Sequence, residues 1–113
     1  MSSEAVVRSA IEAQRALFLV YRGGATRVVH PHALYRTAAG RVLLDGYQVA
    51  GDSSSGDLPG WREFDLALTT DVEPLGDGFE VAPGFDPDAL KYRRGALAIV
   101  GGAPPRGRRN MPR

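Results

Sequence analysis

The sequence contains no cysteine, so disulfide bonds and thiolate metal sites are excluded. It contains only two histidines, His30 and His32. Zinc normally takes three or four protein ligands, so this pair alone does not predict a metal site. No apolar run approaches the roughly 20 residues that a membrane helix needs, and the polar N-terminus is unlike a signal peptide. We therefore expect a cytoplasmic protein with no metal, no cofactor and no contact with a membrane.

What the chain does contain is typical of one small globular domain. It has 113 residues, of which 43% are hydrophobic, with 14 glycines and 8 prolines that predict many turns. Charge is unevenly distributed, with +4 over residues 1–41, −10 over 42–90 and +7 over 91–113. Either oppositely charged strands neutralise each other within one folded unit, or a basic surface binds an anion.

Apolar periodicity predicts a mainly β chain that begins with a helix. Ser2 or Ser3 can cap a helix that continues to about Ala16, with apolar residues at helical spacing. A second short helix is predicted from Asp86 to about Arg94, because Asp-Pro-Asp is typical of a helix start. The predicted strands cover residues 17–22, 26–36 with an interruption at Pro31, 41–49, 61–70, a short stretch near Phe79 after a turn at 76–78, and 96–100.

The C-terminal residues differ in composition from the rest. Residues 101–113 carry four arginines, three prolines and three glycines with nothing to bury, which predicts a disordered tail behind a single domain of residues 1–100. Such a tail is either a solubilising terminus or a basic segment that contacts nucleic acid or an acidic partner.

The order of these segments resembles the WYL domain family over roughly residues 5–82. The resemblance implies an Sm-like small β-barrel preceded by an N-terminal helix, in the α+β class, as found in bacterial regulators. It also implies a non-enzymatic module that senses a nucleotide or another nucleic-acid-like anion. The positions that match the family pattern are Tyr21, Arg27, Pro31, His32, Leu44, Arg62 and Phe64.

Some family positions hold different residues here. Val42 and Leu43 stand where the family has the Trp-Tyr pair of its name, and Asp65 stands where it has a second arginine. A carboxylate at that position would repel a phosphate that an arginine would bind. The alternative is therefore a structural or interaction module that has lost the pocket and acts through homo-oligomer or partner-protein contacts.

The predicted site contains hydrogen-bond donors rather than catalytic groups. A serine-histidine-aspartate set drawn from Ser53–Ser55, His32 and Asp65 lacks a nucleophile elbow and an oxyanion turn, so we expect no enzyme. Guanidinium groups bind phosphate or carboxylate with a planar fork of donors, and histidine adds another donor. The predicted ligand-binding residues are Arg62, His32, Arg27, Tyr47 and Arg41.

Overall fold

The computed structural model describes residues 2–53 and 56–101. Over these residues the chain forms an N-terminal helix followed by antiparallel strands, with 3-10 helices at Leu66–Leu68 and Leu90–Tyr92. The regular elements are α1 (Ser3–Ala13), β1 (Arg15–Tyr21), β2 (Ala25–Arg36), β3 (Val42–Gly51), β4 (Gly60–Asp65), β5 (Thr69–Gly78) and β6 (Ala96–Ile99).

The strands form one sheet in the order β4-β3-β2-β1-β5, and β6 pairs with β2. One edge of β2 pairs with β3, while its other edge pairs first with β1 and then with β6. The pairing with β3 shifts register between Pro31 and Ala33, which agrees with the predicted interruption at that proline. Between the described strands β4 and β5 there is no pairing, so the sheet is not closed. The fold is thus mainly β with an N-terminal helix.

Helix α1 forms as its capping residue and apolar spacing predict. The Ser2 hydroxyl accepts a hydrogen bond from the Ala5 N–H at 3.2 Å, and the buried residues recur at helical spacing. The helix ends at Gln14, whose backbone is left-handed with φ 52°. The predicted end near Ala16 is therefore wrong by about one turn, because Arg15 already belongs to β1.

The sheet has two covered faces. We call the face against α1 the inner face, and the face under residues 82–92 the outer face. The inner face belongs to a cluster that contains Val7, Ala10, Ile11, Leu17, Leu19, Tyr21, Val29, Leu34, Leu44, Phe64, Ala98 and Val100. The outer face belongs to a smaller cluster of Ala33, Tyr35, Leu43 and Tyr92, with Phe85 packed against it. Alternate residues of the strands supply the two faces.

The single strand predicted over residues 61–70 is wrong. Strand β4 ends at Asp65, whose side chain accepts a hydrogen bond from the Ala67 N–H at 2.9 Å and so starts a 3-10 turn. Strand β5 then continues through Gly78, where a turn was predicted. The chain can remain extended there because β5 is an exposed end strand whose Gly78 pairs with Arg15.

The second predicted helix is also wrong. Only Leu90–Tyr92 is helical, as a single 3-10 turn, although Asp86 does accept a hydrogen bond from the Asp88 N–H at 2.9 Å. The apolar residues at helical spacing are too few to bury a helix face, since Leu90 is 75% exposed. The segment instead lies across the outer face through Phe85 and Tyr92.

None of the described helices is long and apolar enough to cross a membrane. The predicted strand over 96–100 is confirmed as β6. The predicted disordered tail, residues 101–113, lies outside the described residues except for Gly101. Ser54 and Ser55, in the predicted loop before β4, also lie outside them.

Candidate functional site

The five predicted ligand residues do not come together in one place. Arg27 and Arg62 lie at the inner face near the loop that joins β3 to β4. His32 and Tyr47 lie on the outer face, where both pack edge-on against the Trp61 ring. Arg41 is exposed and pairs with an aspartate elsewhere on the sheet. The β2 bulge and strand alternation separate these side chains.

Arg27 is a buried arginine without a carboxylate partner among the described residues. It is 9% exposed, and its guanidinium carbon lies 5.6 Å and 5.7 Å from the ring centroids of Tyr21 and Phe64. Nη1 donates to Oε1 of Gln48 at 3.1 Å. The buried Nε has no hydrogen-bond partner among the described residues. Within residues 2–53 and 56–101, Arg27 thus uses one of its five N–H donors.

Gln48 orients this arginine from the neighbouring strand. It is fully buried, and its Nε2 donates to the carbonyl oxygens of Ala50 at 3.1 Å and Asp52 at 2.8 Å. Both amide hydrogens are therefore used by the backbone, and the side-chain oxygen faces Arg27. No sequence motif points to Gln48. Its position still indicates burial, because Leu44, Gly46 and Gln48 alternate along β3 and so share the inner face.

Arg62 approaches the same position from β4. Its Nη1 donates to the Trp61 carbonyl at 2.8 Å, and its Nη2 donates to Ser53 Oγ at 2.8 Å and to the Asp57 carbonyl at 3.0 Å. Its guanidinium lies over Gly60, where an added Cβ would be 2.6 Å from Nη1. Gly60 is the register partner of Gln48, so the Arg62 guanidinium lies over the residue that pairs with the partner of Arg27.

We call Arg27, Gln48, Ser53 and Arg62 the arginine cluster. Like Arg27, Arg62 has a buried Nε with no hydrogen-bond partner in residues 2–53 and 56–101. The ion pairs found within that part of the chain involve other cations, namely Arg8, Arg36, Arg41 and Lys91. Within the described residues, the positive charges of Arg27 and Arg62 are therefore not paired with a carboxylate, and both Nε donors are unused. Removing an unpaired charge from water is costly.

Within the described residues, neither Asp52 nor Asp57 forms an ion pair with an arginine of the cluster. The Asp52 carboxylate accepts a hydrogen bond from the Thr26 N–H at 3.1 Å, and Asp57 offers Arg62 its backbone carbonyl. Asp65, the residue predicted to repel a phosphate, pairs with Arg41 at 2.8 Å. A hydrogen bond from the Ala67 N–H, followed by the Arg41 pairing, lowers the pKa of the Asp65 carboxyl. Its charge is therefore balanced by Arg41.

His32 has a structural role that the sequence did not predict. Its ring is fully buried, Nδ1 donates to the His30 carbonyl at 2.8 Å, and Nε2 accepts from the Ala82 N–H at 2.9 Å. Both ring nitrogens are thus satisfied by backbone groups when the imidazole is neutral. Burial lowers the pKa of His32 and so favours that neutral form. His32 fixes the segment that covers the outer face.

Comparison with protein-family models, with curated proteins and with solved structures finds no match for this chain. Within the part of the chain that the structure describes, no group of three or more histidine, aspartate or glutamate side chains is placed to hold a metal ion. The arrangement that stands out chemically is the arginine cluster, whose two guanidinium groups are of the type that binds an oxyanion.

Proposed function

We propose that the chain is a non-enzymatic binding module, and that its arginine cluster binds a phosphate-bearing anion such as a nucleotide or a short oligonucleotide. The observation that carries this proposal is the Arg27 guanidinium, which is 9% exposed, has one bond to a neutral amide and lacks a carboxylate within 4.0 Å among the described residues. An anion would supply the missing charge and accept the unused N–H donors.

The cluster is better suited to binding than to catalysis. Its members are two guanidinium groups, one amide and the Ser53 hydroxyl, which accepts a bond from Arg62. A hydroxyl becomes a useful nucleophile when a base removes its proton, and none of the other three members is a base at neutral pH. His32 lies on the outer face, with its ring nitrogens bonded to backbone groups. These features favour a sensing or regulatory role.

The WYL resemblance and its Sm-like barrel belong to the same proposal. Two features support it: α1 leads directly into a bent antiparallel sheet, and only the 3-10 turn Leu66–Leu68 separates the end strands β4 and β5. A connection of that length keeps the two ends near each other, as a small barrel requires. Two residues of the cluster, Arg27 and Arg62, are also positions at which the sequence matches the family pattern.

The test compares arginine variants in anion binding and stability. Inorganic phosphate, adenosine monophosphate and a short single-stranded oligonucleotide are titrated at low salt, with the heat of binding and the melting temperature as readouts. We expect Arg27→Met to weaken binding at least about tenfold, because a desolvated charge-assisted contact is lost. The melting temperature of the same variant shows whether the buried, unpaired charge of Arg27 costs more stability than its hydrogen bond to the buried Gln48 oxygen contributes.

Arg41→Met is the matched control. It removes the same type of side chain from an exposed position that pairs with Asp65, outside the arginine cluster. Binding by this variant should change little, whereas Arg62→Met should weaken it as Arg27→Met does. For the oligonucleotide, the logarithm of the affinity should also fall linearly with the logarithm of the salt concentration, with a slope proportional to the number of phosphates contacted. The proposal is refuted if none of the three probes binds the native protein at low salt, or if Arg27→Met and Arg41→Met weaken binding equally.

A further inference from the structure

A pocket of about 400 Å³ lies on the outer face of the sheet, between β4 and the segment 84–92. Its walls include the rings of Trp61, Phe85 and Tyr92. The Trp61 and Phe85 rings are stacked, with centroids 5.9 Å apart and planes 25° apart. Trp61 remains 39% exposed, so the ring is open to a ligand. We call this the aromatic pocket, and it lies within the size range of small-molecule sites.

The polar groups of the aromatic pocket are mainly acidic. Three carboxylates line it, those of Asp45, Glu63 and Asp86, together with the ammonium group of Lys91. Asp45 is 5% exposed and accepts a hydrogen bond from the Tyr92 hydroxyl at 2.7 Å. Arg62 lines the pocket as well, so three carboxylates face two cations, and the remaining negative charge disfavours a phosphate.

Lys91 places a cation at the aromatic pocket. Its Nζ lies 2.6 Å from Oδ2 of Asp45, 5.8 Å from the ring centroid of Tyr35 and 5.6 Å from that of Tyr92. The pocket therefore already contains an ammonium group, which is paired with the Asp45 carboxylate and lies near two aromatic rings. The Lys91 side chain is 52% exposed and begins on a single 3-10 turn, so it can be reached from solvent.

Arg62 also borders the aromatic pocket, but its donors are directed elsewhere. Its Nη2 bonds to Ser53 and Asp57 in the loop before β4, and its Nη1 bonds to the Trp61 carbonyl. Glu63, the next residue, accepts a hydrogen bond from the Tyr35 hydroxyl at 2.8 Å. Successive side chains of β4 thus direct positive charge towards the loop and negative charge towards the pocket.

We propose that the aromatic pocket binds a small organic cation, an alkylammonium or guanidinium compound, and that Lys91 is a displaceable internal occupant of the same site. The ligand's charge would contact Asp45 and Glu63, and its apolar part would lie against Trp61 and Phe85. Aromatic faces and buried carboxylates both attract cations and disfavour anions. Arg62 borders both sites, but its hydrogen bonds are made to the loop before β4 and to the Trp61 carbonyl, and this proposal does not depend on the function proposed for the arginine cluster.

Fluorescence of Trp61 provides a direct assay, because the chain has one tryptophan. The full chain is titrated with butylammonium, choline and methylguanidinium, and with 3,3-dimethylbutan-1-ol, the uncharged analogue of choline. We expect saturable changes with at least one cation and none with the alcohol at the same concentrations. The affinities obtained from the fluorescence changes show whether the pocket prefers an ammonium or a guanidinium group.

The decisive variant is Lys91→Met, which removes the internal cation. Its affinity for the preferred cation should increase about tenfold, since the ligand no longer competes with Lys91. Arg93→Met is the matched control, because Arg93 is exposed and belongs to a different groove, and its affinity should be unchanged. An increase in affinity cannot result from a variant that merely folds poorly.

Asp45→Asn and Glu63→Gln should each lower the affinity, and far-ultraviolet circular dichroism shows whether each variant is folded. Glu63→Gln keeps the test informative if the buried Asp45→Asn variant does not fold. Equal responses to choline and its uncharged analogue would overturn the proposal, because the pocket would then be apolar without selectivity for charge. Unchanged affinity in Lys91→Met, or no response to any of the three cations, would also overturn it.

Discussion

Replacing His32 with phenylalanine tests whether a neutral imidazole fastens the covering segment to the sheet. Phenylalanine can keep the ring contacts with Trp61, Phe79 and Phe85, but it cannot accept the Ala82 N–H. Because Ala82 is buried, its N–H would be left without a partner. An unsatisfied buried donor costs about 1–3 kcal/mol, so the free energy of unfolding should fall by that amount at pH 8.

The same substitution should change the pH dependence of stability. Burial lowers the pKa of His32 below the value of about 6.5 expected in the unfolded chain. As the pH falls below about 6.5, the unfolded state takes up a proton that the folded state does not. Stability is therefore lost on acidification, by at most about 1.4 kcal/mol per pH unit for one histidine. The difference between native protein and His32→Phe should shrink accordingly towards pH 5.

Urea denaturation followed by Trp61 fluorescence measures both effects at pH 8, 7, 6 and 5. His30→Phe is the matched control, because His30 stacks on Phe79 at 4.8 Å and its side chain makes no hydrogen bond to the described residues. Burial also lowers the pKa of His30, so the control separates its share of the pH dependence. The reasoning is refuted if the two variants are equally stable at pH 8, or if the deficit of His32→Phe is the same at pH 5.

Two other perturbations test the packing on each side of β3. Gly46→Ala should lower the free energy of unfolding by about 1–3 kcal/mol, since its Cβ would overlap the Val29 side chain; an unchanged urea midpoint would contradict this. Burial, followed by hydrogen bonds to carboxylates, raises the pKa of Tyr35 and Tyr92. In an ultraviolet titration at least two of the four tyrosines should therefore remain protonated above pH 10, and simultaneous ionisation of all four would exclude the buried network.

The parts of the fold that follow local rules were predictable from the sequence. Ser2 as the helix cap, the alternation of β3 and the interruption of β2 at Pro31 are each set by residues next to them in the chain. The division of residues 61–70 into β4, a 3-10 turn and β5 was not predictable in this way. The Asp65 side chain caps that turn, and the Tyr21 hydroxyl accepts the Asp65 N–H at 3.1 Å from another strand.

The candidate site was predictable only in part, for a related reason. Arg27 and Arg62 match a family pattern and could be predicted. Within the described structure both lack a carboxylate partner, and the sequence alone does not reveal this. His32 was selected with them, and the bulge beside Pro31 places it on the opposite face. Gln48 is not predicted as a site residue, because a single uncharged glutamine belongs to no motif. Its inner-face position nevertheless indicates a buried polar residue that needs hydrogen-bond partners.

The separation of the two sites follows from strand geometry rather than from the net charge of any segment. Residues 42–90 carry a charge of −10, which by itself argues against an anion site there. Yet Arg62 and Glu63 are neighbours on β4, and alternation directs one to the arginine cluster and the other to the aromatic pocket. A one-residue slip of β4 against β3 would exchange these charges and place each beside the wrong partners. The pairing of Gly46 with Arg62 therefore determines which charge each face of the sheet presents.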